Sequence, residues 1–133
     1  MQRDEIARLE LKFDINEIRR TTYDILLNYG LKLKDGFSNY GGISLQSAES
    51  DADLLFGSVE YSTFKTRSKK ARDYTQLNEV GKRFSFIYDA FKQMGIQLSR
   101  GRILGARAGM KLPFHTDYDY RIHIPVWTNE GAV

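Results

Sequence analysis

Four side chains in this chain of 133 residues have the types and spacing to do chemistry together: His115, Asp117, Arg121 and His123. They lie in the run Pro113-Phe114-His115-Thr116-Asp117-Tyr118-Asp119-Tyr120-Arg121-Ile122-His123-Ile124-Pro125. In extended backbone, side chains two positions apart project to the same face. An imidazole nitrogen of His115 and a carboxylate oxygen of Asp117 can therefore converge on one point. That pair suits a divalent transition metal.

Beyond the pair, Tyr120, Ile122, Ile124 and Val126 alternate with Arg121, His123 and Pro125. The alternation predicts a strand over 120–126, with one apolar face and one face carrying Arg and His. Setting both on an inward face costs several kcal/mol unless they meet an anion. A bound carboxylate would satisfy the two. With one further His, the His-x-Asp pair makes the facial triad of non-haem iron(II) oxygenases, which leaves positions open for a co-substrate and oxygen.

These residues resemble the aspartyl/asparaginyl β-hydroxylase branch of the iron(II)- and 2-oxoglutarate-dependent dioxygenases. The likeness rests on Arg107-x-Gly109, His115-Thr116-Asp117, Arg121-Ile122-His123-Ile124-Pro125 and Thr128-Asn129. Weaker echoes lie in Leu11-Lys12-Phe13-Asp14 and in Tyr40-Gly41-Gly42-Ile43-Ser44-Leu45. The resemblance implies that His115 and Asp117 bind Fe(II), and that Arg121 and His123 contact 2-oxoglutarate. It implies hydroxylation of an amino acid, or of an Asp- or Asn-type residue in a peptide or protein, with molecular oxygen consumed and 2-oxoglutarate converted to succinate.

The fold implied is α+β, a partial double-stranded β-helix of jelly-roll, cupin-like type with buttressing N-terminal helices. One departure from the family pattern concerns the metal. The family has a second metal-binding His well beyond the His-x-Asp, followed by an Arg for the far carboxylate of 2-oxoglutarate. Here His123 is the last His and Arg121 the last Arg. A ligand role for His123 would forfeit its pairing with Arg121, so the co-substrate role is preferred. Thr128-Asn129-Glu130-Gly131 reads as a hairpin turn, with Ala132-Val133 opening a return strand. The expectation is a single domain over 1–133 that is C-terminally truncated and inactive alone, with unpaired strand edges that make it a homo-oligomer.

Composition sets outer bounds. With 41% hydrophobic and 13% aromatic residues, the chain has the makings of a packed core. It has no Cys, which excludes disulfides and thiolate metal sites. No apolar run approaches the ~20 residues of a membrane span, and the N-terminus lacks a signal-peptide core. A cytoplasmic protein with no membrane partner is the expectation.

The net charge of +3 is concentrated in Lys65, Arg67, Lys69, Lys70 and Arg72. Such a cluster can touch nucleic-acid phosphates or steer an acidic substrate. More often it is a solvated loop, and nucleic acid is the less favoured partner. Two alternatives to the hydroxylase remain: a non-catalytic jelly-roll binding module, and a nucleic-acid binder using the 65–72 cluster.

The elements that must position these residues are also legible. A helix is predicted over 14–29, with Asp14 and Glu17 as a capping-box-like start and Gly30 as its stop. A second runs over 79–94, where Val80, Phe84, Ile87, Tyr88, Phe91 and Met94 read as a core stripe and Gly95 as the stop. Short strands are expected at 9–13, 43–45, 96–98 and 102–108. Tyr40-Gly41-Gly42 reads as a turn, and 47–53 as a surface loop or part of a substrate mouth. Arg107 either faces the pocket or pairs with a surface carboxylate.

Overall fold

In the computed structural model, which describes residues 11–33, 40–49, 53–56, 71–106 and 121–127, Asp14 starts the first helix, α1 (Ile15–Tyr29). Its carboxylate accepts the backbone N–H of Asn16 at 2.9 Å and of Glu17 at 3.4 Å. Two of the donors that a helix start leaves without partners are thereby satisfied. Gly30, at φ 73°, stops the helix and returns its own N–H to the Leu26 carbonyl. Ile18, Thr22 and Ile25, at helical spacing, form the buried face. The observed span agrees with the one read from the capping residues.

Beyond Gly30 the chain builds a three-stranded antiparallel sheet in the order β1–β2–β5, from β1 (Lys32–Leu33), β2 (Tyr40–Ser44) and β5 (Arg102–Ala106). Ile43 on the central strand faces Ile103. The turn expected at Tyr40-Gly41-Gly42 is instead part of β2. A Cβ on Gly41 would lie 2.5 Å from the Lys32 carbonyl oxygen, so glycine here permits close approach of two strands.

Leu45 is a bend at which the chain leaves this sheet for a second one. There β3 (Gln46–Ala48) pairs antiparallel with β4 (Tyr74–Leu77), with an irregular register between Ser47 and Ala48. Ser47 and Ala48 are only 3% exposed, which corrects the surface-loop reading of the start of 47–53. Their small side chains suit a packed strand, and the Ser47 hydroxyl donates to the Gln76 carbonyl at 3.4 Å.

In the second helical region the α-helix itself begins later than expected. Asn78 opens the region with an Asx turn, accepting the N–H groups of Val80 and Gly81 on Oδ1 at 3.0 and 2.8 Å. A 3-10 turn (Gly81–Phe84) follows, and only then α2 (Ser85–Gln93). Ile18, Ile25, Ile43, Val80, Phe84, Ile87 and Phe91 form one buried cluster. Each such side chain contributes about 1.5–3 kcal/mol by leaving water. Phe13 stacks edge-on against Phe86 with ring centres 6.2 Å apart. Met94, expected on the core stripe, is instead half exposed.

Two further strand expectations are corrected. Residues 96–98 are not a strand, because the Ile96 N–H caps α2 at the Phe91 carbonyl and the Leu98 carbonyl accepts Gln46 Nε2 at 2.8 Å. Those groups are committed outside any ladder. Residues 11–13 are also irregular, with Leu11 and Phe13 packed on the core cluster. Strand 102–108 is seen as β5 over the residues described.

The architecture is α+β, of helices with small antiparallel sheets, and the described residues contain no closed barrel. No helix among them is long and apolar enough to cross a membrane.

Candidate functional site

The described part of the motif is the stretch 121–127. An extended segment becomes a strand by pairing its backbone N–H and C=O groups with a neighbour. Residues 121–125 pair with no strand among the described residues, where β1, β2 and β5 pair with one another and β3 pairs with β4. The strand expected over 120–126, with a buried face, is therefore corrected over these residues. Ile122 is 43% exposed and Ile124 36%, so the apolar positions are open to solvent like the polar ones.

One anchor of this stretch is at its far end. Arg19 on α1 donates from Nε to the Val126 carbonyl at 2.8 Å, a contact across 107 positions of sequence. The Val126 side chain is half buried and packs against the core cluster. Pro125 fixes its own φ and biases Ile124 toward extended backbone. The anchored end is thus a stiff one.

Arg121 and His123 are both exposed. The desolvation cost that two inward cations would carry does not arise here. A carboxylate meeting these groups would do so at the surface, where each ion pair is worth little alone and geometry decides.

His115, Asp117 and Arg107 lie outside the described residues, as do Lys65, Arg67, Lys69 and Lys70. Arg72 is exposed, in the 3-10 turn Ala71–Asp73. Among the described residues there is no group of three or more His, Cys, Asp or Glu side chains that could hold a metal ion.

The helix that carries Arg19 is itself pinned. Arg83 forms an ion pair with Asp24, and the Tyr29 hydroxyl donates to Glu79 at 3.1 Å. That bond raises the Tyr29 pKa, because losing the proton would set a phenolate against the carboxylate. Both contacts tie the C-terminal half of α1 to the start of the second helical region.

Two buried amides fasten the sheets behind it. Gln46 donates from Nε2 to the carbonyls of Thr75 and Leu98 and accepts the Gly101 N–H on Oε1 at 2.8 Å. Asn78 does the same for the loop crossing, donating from Nδ2 to the carbonyls of Ser44 and Leu54, each at 2.7 Å. Tyr88 lies close to this junction, for a Cβ on Gly101 would fall 1.9 Å from its hydroxyl. Burial pushes the Tyr88 pKa up.

Sequence reading missed Arg19, Gln46 and Asn78. Asn78, one residue before the helix predicted from Glu79, carries the Asx-cap signal. No local pattern ties Arg19 to Val126.

No protein-family model matches the chain, and no curated protein matches it at a significant level.

Proposed function

We propose that this chain carries part of the site of an iron(II)- and 2-oxoglutarate-dependent hydroxylase acting on an amino acid, or on an Asp- or Asn-type residue in a peptide or protein. The observation that carries the reading is the paired spacing, His115-x-Asp117 followed by Arg121-x-His123-x-Pro125. Donor chemistry supports it. Imidazole and carboxylate at two-residue spacing are ligands for a transition metal, and a guanidinium beside an imidazole matches a carboxylate.

Arg121 and His123 are exposed, so a co-substrate acid can reach both from solvent. The chain path crosses from one antiparallel sheet to another at Leu45, an α+β arrangement; the partial jelly roll is part of this proposal.

In this reading His115 and Asp117 would hold iron(II), which when bound supplies oxygen activation coupled to decarboxylation of 2-oxoglutarate. Arg121 would present its planar donor fork to a carboxylate of the acid, fixing its orientation as well as its charge. His123 would donate a second hydrogen bond to the same acid. The protein's work is to hold the acid in one pose beside the metal ligands.

Equilibrium binding of 2-oxoglutarate, measured without oxygen in the presence of Fe(II), tests this. Wild-type protein should bind, and Arg121→Ala should bind about threefold or more weakly, the scale of an exposed ion pair. Equal binding by Arg121→Ala and His123→Ala would remove the co-substrate role of the stretch.

A further inference from the structure

We infer that Arg19 is a positioning residue for the co-substrate segment, acting through Val126; this rests on the hydroxylase reading above. Arg19 itself is remote in sequence and makes its bond to a backbone carbonyl, so it contributes placement and not a contact to the acid.

Val126 is held twice, once through its carbonyl by Arg19 at 2.8 Å and once through its side chain by the core cluster. A side-chain contact alone leaves a backbone free to rotate about it. Adding a hydrogen bond to the carbonyl fixes the plane of the Val126–Trp127 peptide. With carbonyl and side chain both held, the Val126 Cα is fixed in place, and the locked φ of Pro125 and its restriction of Ile124 leave few free torsions between that point and His123.

Three residues of extended chain span at most ~11 Å. His123 therefore stands within that reach of the fixed point, with Arg121 two positions further on. No ladder among the described residues constrains residues 122–125, so direction set at Val126 matters more here than it would in a paired strand. The support reaches back into the molecule, because Ile18 and Ile25 of α1 are buried in one cluster with Val80, Phe84, Ile87 and Phe91, with the Asp24–Arg83 and Tyr29–Glu79 contacts at its exposed side.

Trp127, the only tryptophan in the chain, is the next residue after the anchor and reports on it. The test uses the whole chain as wild type, Arg19→Ala and Arg19→Lys. Two quantities are read: the fluorescence anisotropy of Trp127, and binding of 2-oxoglutarate with Fe(II) in the absence of oxygen. Arg19→Ala should lower the anisotropy and weaken 2-oxoglutarate roughly fivefold, the scale of one lost hydrogen bond, with the melting temperature lowered by no more than a few degrees and the affinity for Fe(II) alone unchanged. Arg19→Lys, which keeps a cationic donor, should recover most of both.

Wild-type anisotropy in Arg19→Ala would overturn the anchor. Loosened Trp127 with wild-type affinity for 2-oxoglutarate would overturn the positioning role while leaving the hydroxylase reading intact. A wild-type chain with no affinity for 2-oxoglutarate would overturn that reading, and the role of Arg19 with it.

Discussion

The side-chain amide of Asn78 donates to the Ser44 carbonyl at 2.7 Å, joining segments 34 residues apart. Asn78 is 6% exposed, and its amide also donates to Leu54 while its oxygen takes the N–H groups of Val80 and Gly81. One side chain thus closes the end of β2, a nearby turn and the start of a helical region.

Replacing it leaves two carbonyls and two N–H groups without these partners in a site with little access for water. Asn78→Ala should lower stability by about 2–4 kcal/mol, combining loss of a cap with unsatisfied buried groups. A urea unfolding series checks this. A change under ~0.5 kcal/mol, the scale of an ordinary surface substitution, would show that Asn78 is not the tie described.

Gly81 lies against the same crossing. A Cβ there would fall 1.9 Å from the Leu45 carbonyl oxygen, which is backbone and cannot swing away. Gly81→Ala should therefore cost about 3 kcal/mol, near the upper range for overpacking. Gly30→Ala is the contrast: φ is +73°, but nothing lies within 4 Å of the added carbon. Only backbone conformation opposes it, at a φ and ψ that are essentially glycine's alone, and about 2 kcal/mol is expected. Thermal melts of the two variants side by side should rank them in that order.

Tyr88 predicts behaviour at alkaline pH. Burial raises its pKa in the fold above the ordinary 10.0. Above pH 10 the unfolded chain therefore releases a proton that the folded chain keeps, so the unfolded state binds fewer protons. Stability then falls as pH rises through and beyond 10, and is unaffected below it. Tyr29, raised mainly through its bond to Glu79, acts in the same direction at the surface. Urea midpoints taken below and above pH 10 should show a loss that is smaller in Tyr88→Phe than in wild type.

How far the sequence carried the fold depended on whether the signal was local. Asp14 and Gly30 set the limits of α1 through bonds made within a few residues, and these were legible. Phe84, Ile87 and Phe91 were legible as core by helical spacing. Ser47 and Ala48 were misread because polar or small residues look like loop until a partner strand is known, and β4 is supplied from 74–77. Gly41 was misread because glycine for a turn and glycine for close strand approach have the same local pattern.

The candidate site divides in the same way. Spacing revealed His115, Asp117, Arg121 and His123 as a group with shared chemistry. Alternation of Ile122 and Ile124 with polar neighbours, however, gave a strand where the described stretch is irregular and exposed. Periodicity reports which face a strand would bury, and says nothing of whether a pairing neighbour exists. Arg19 was invisible because its partner is a main-chain carbonyl, which has no sequence signature.

The central claim is tested most directly by titrating Fe(II) into the protein without oxygen, in the absence and presence of 2-oxoglutarate. Wild-type chain should bind Fe(II), more tightly when 2-oxoglutarate is present, and binding should fall by about tenfold or more in both His115→Ala and Asp117→Ala, the scale of one lost ligand. Fe(II) binding that neither substitution changes, or that 2-oxoglutarate leaves unaltered, would contradict the proposed site.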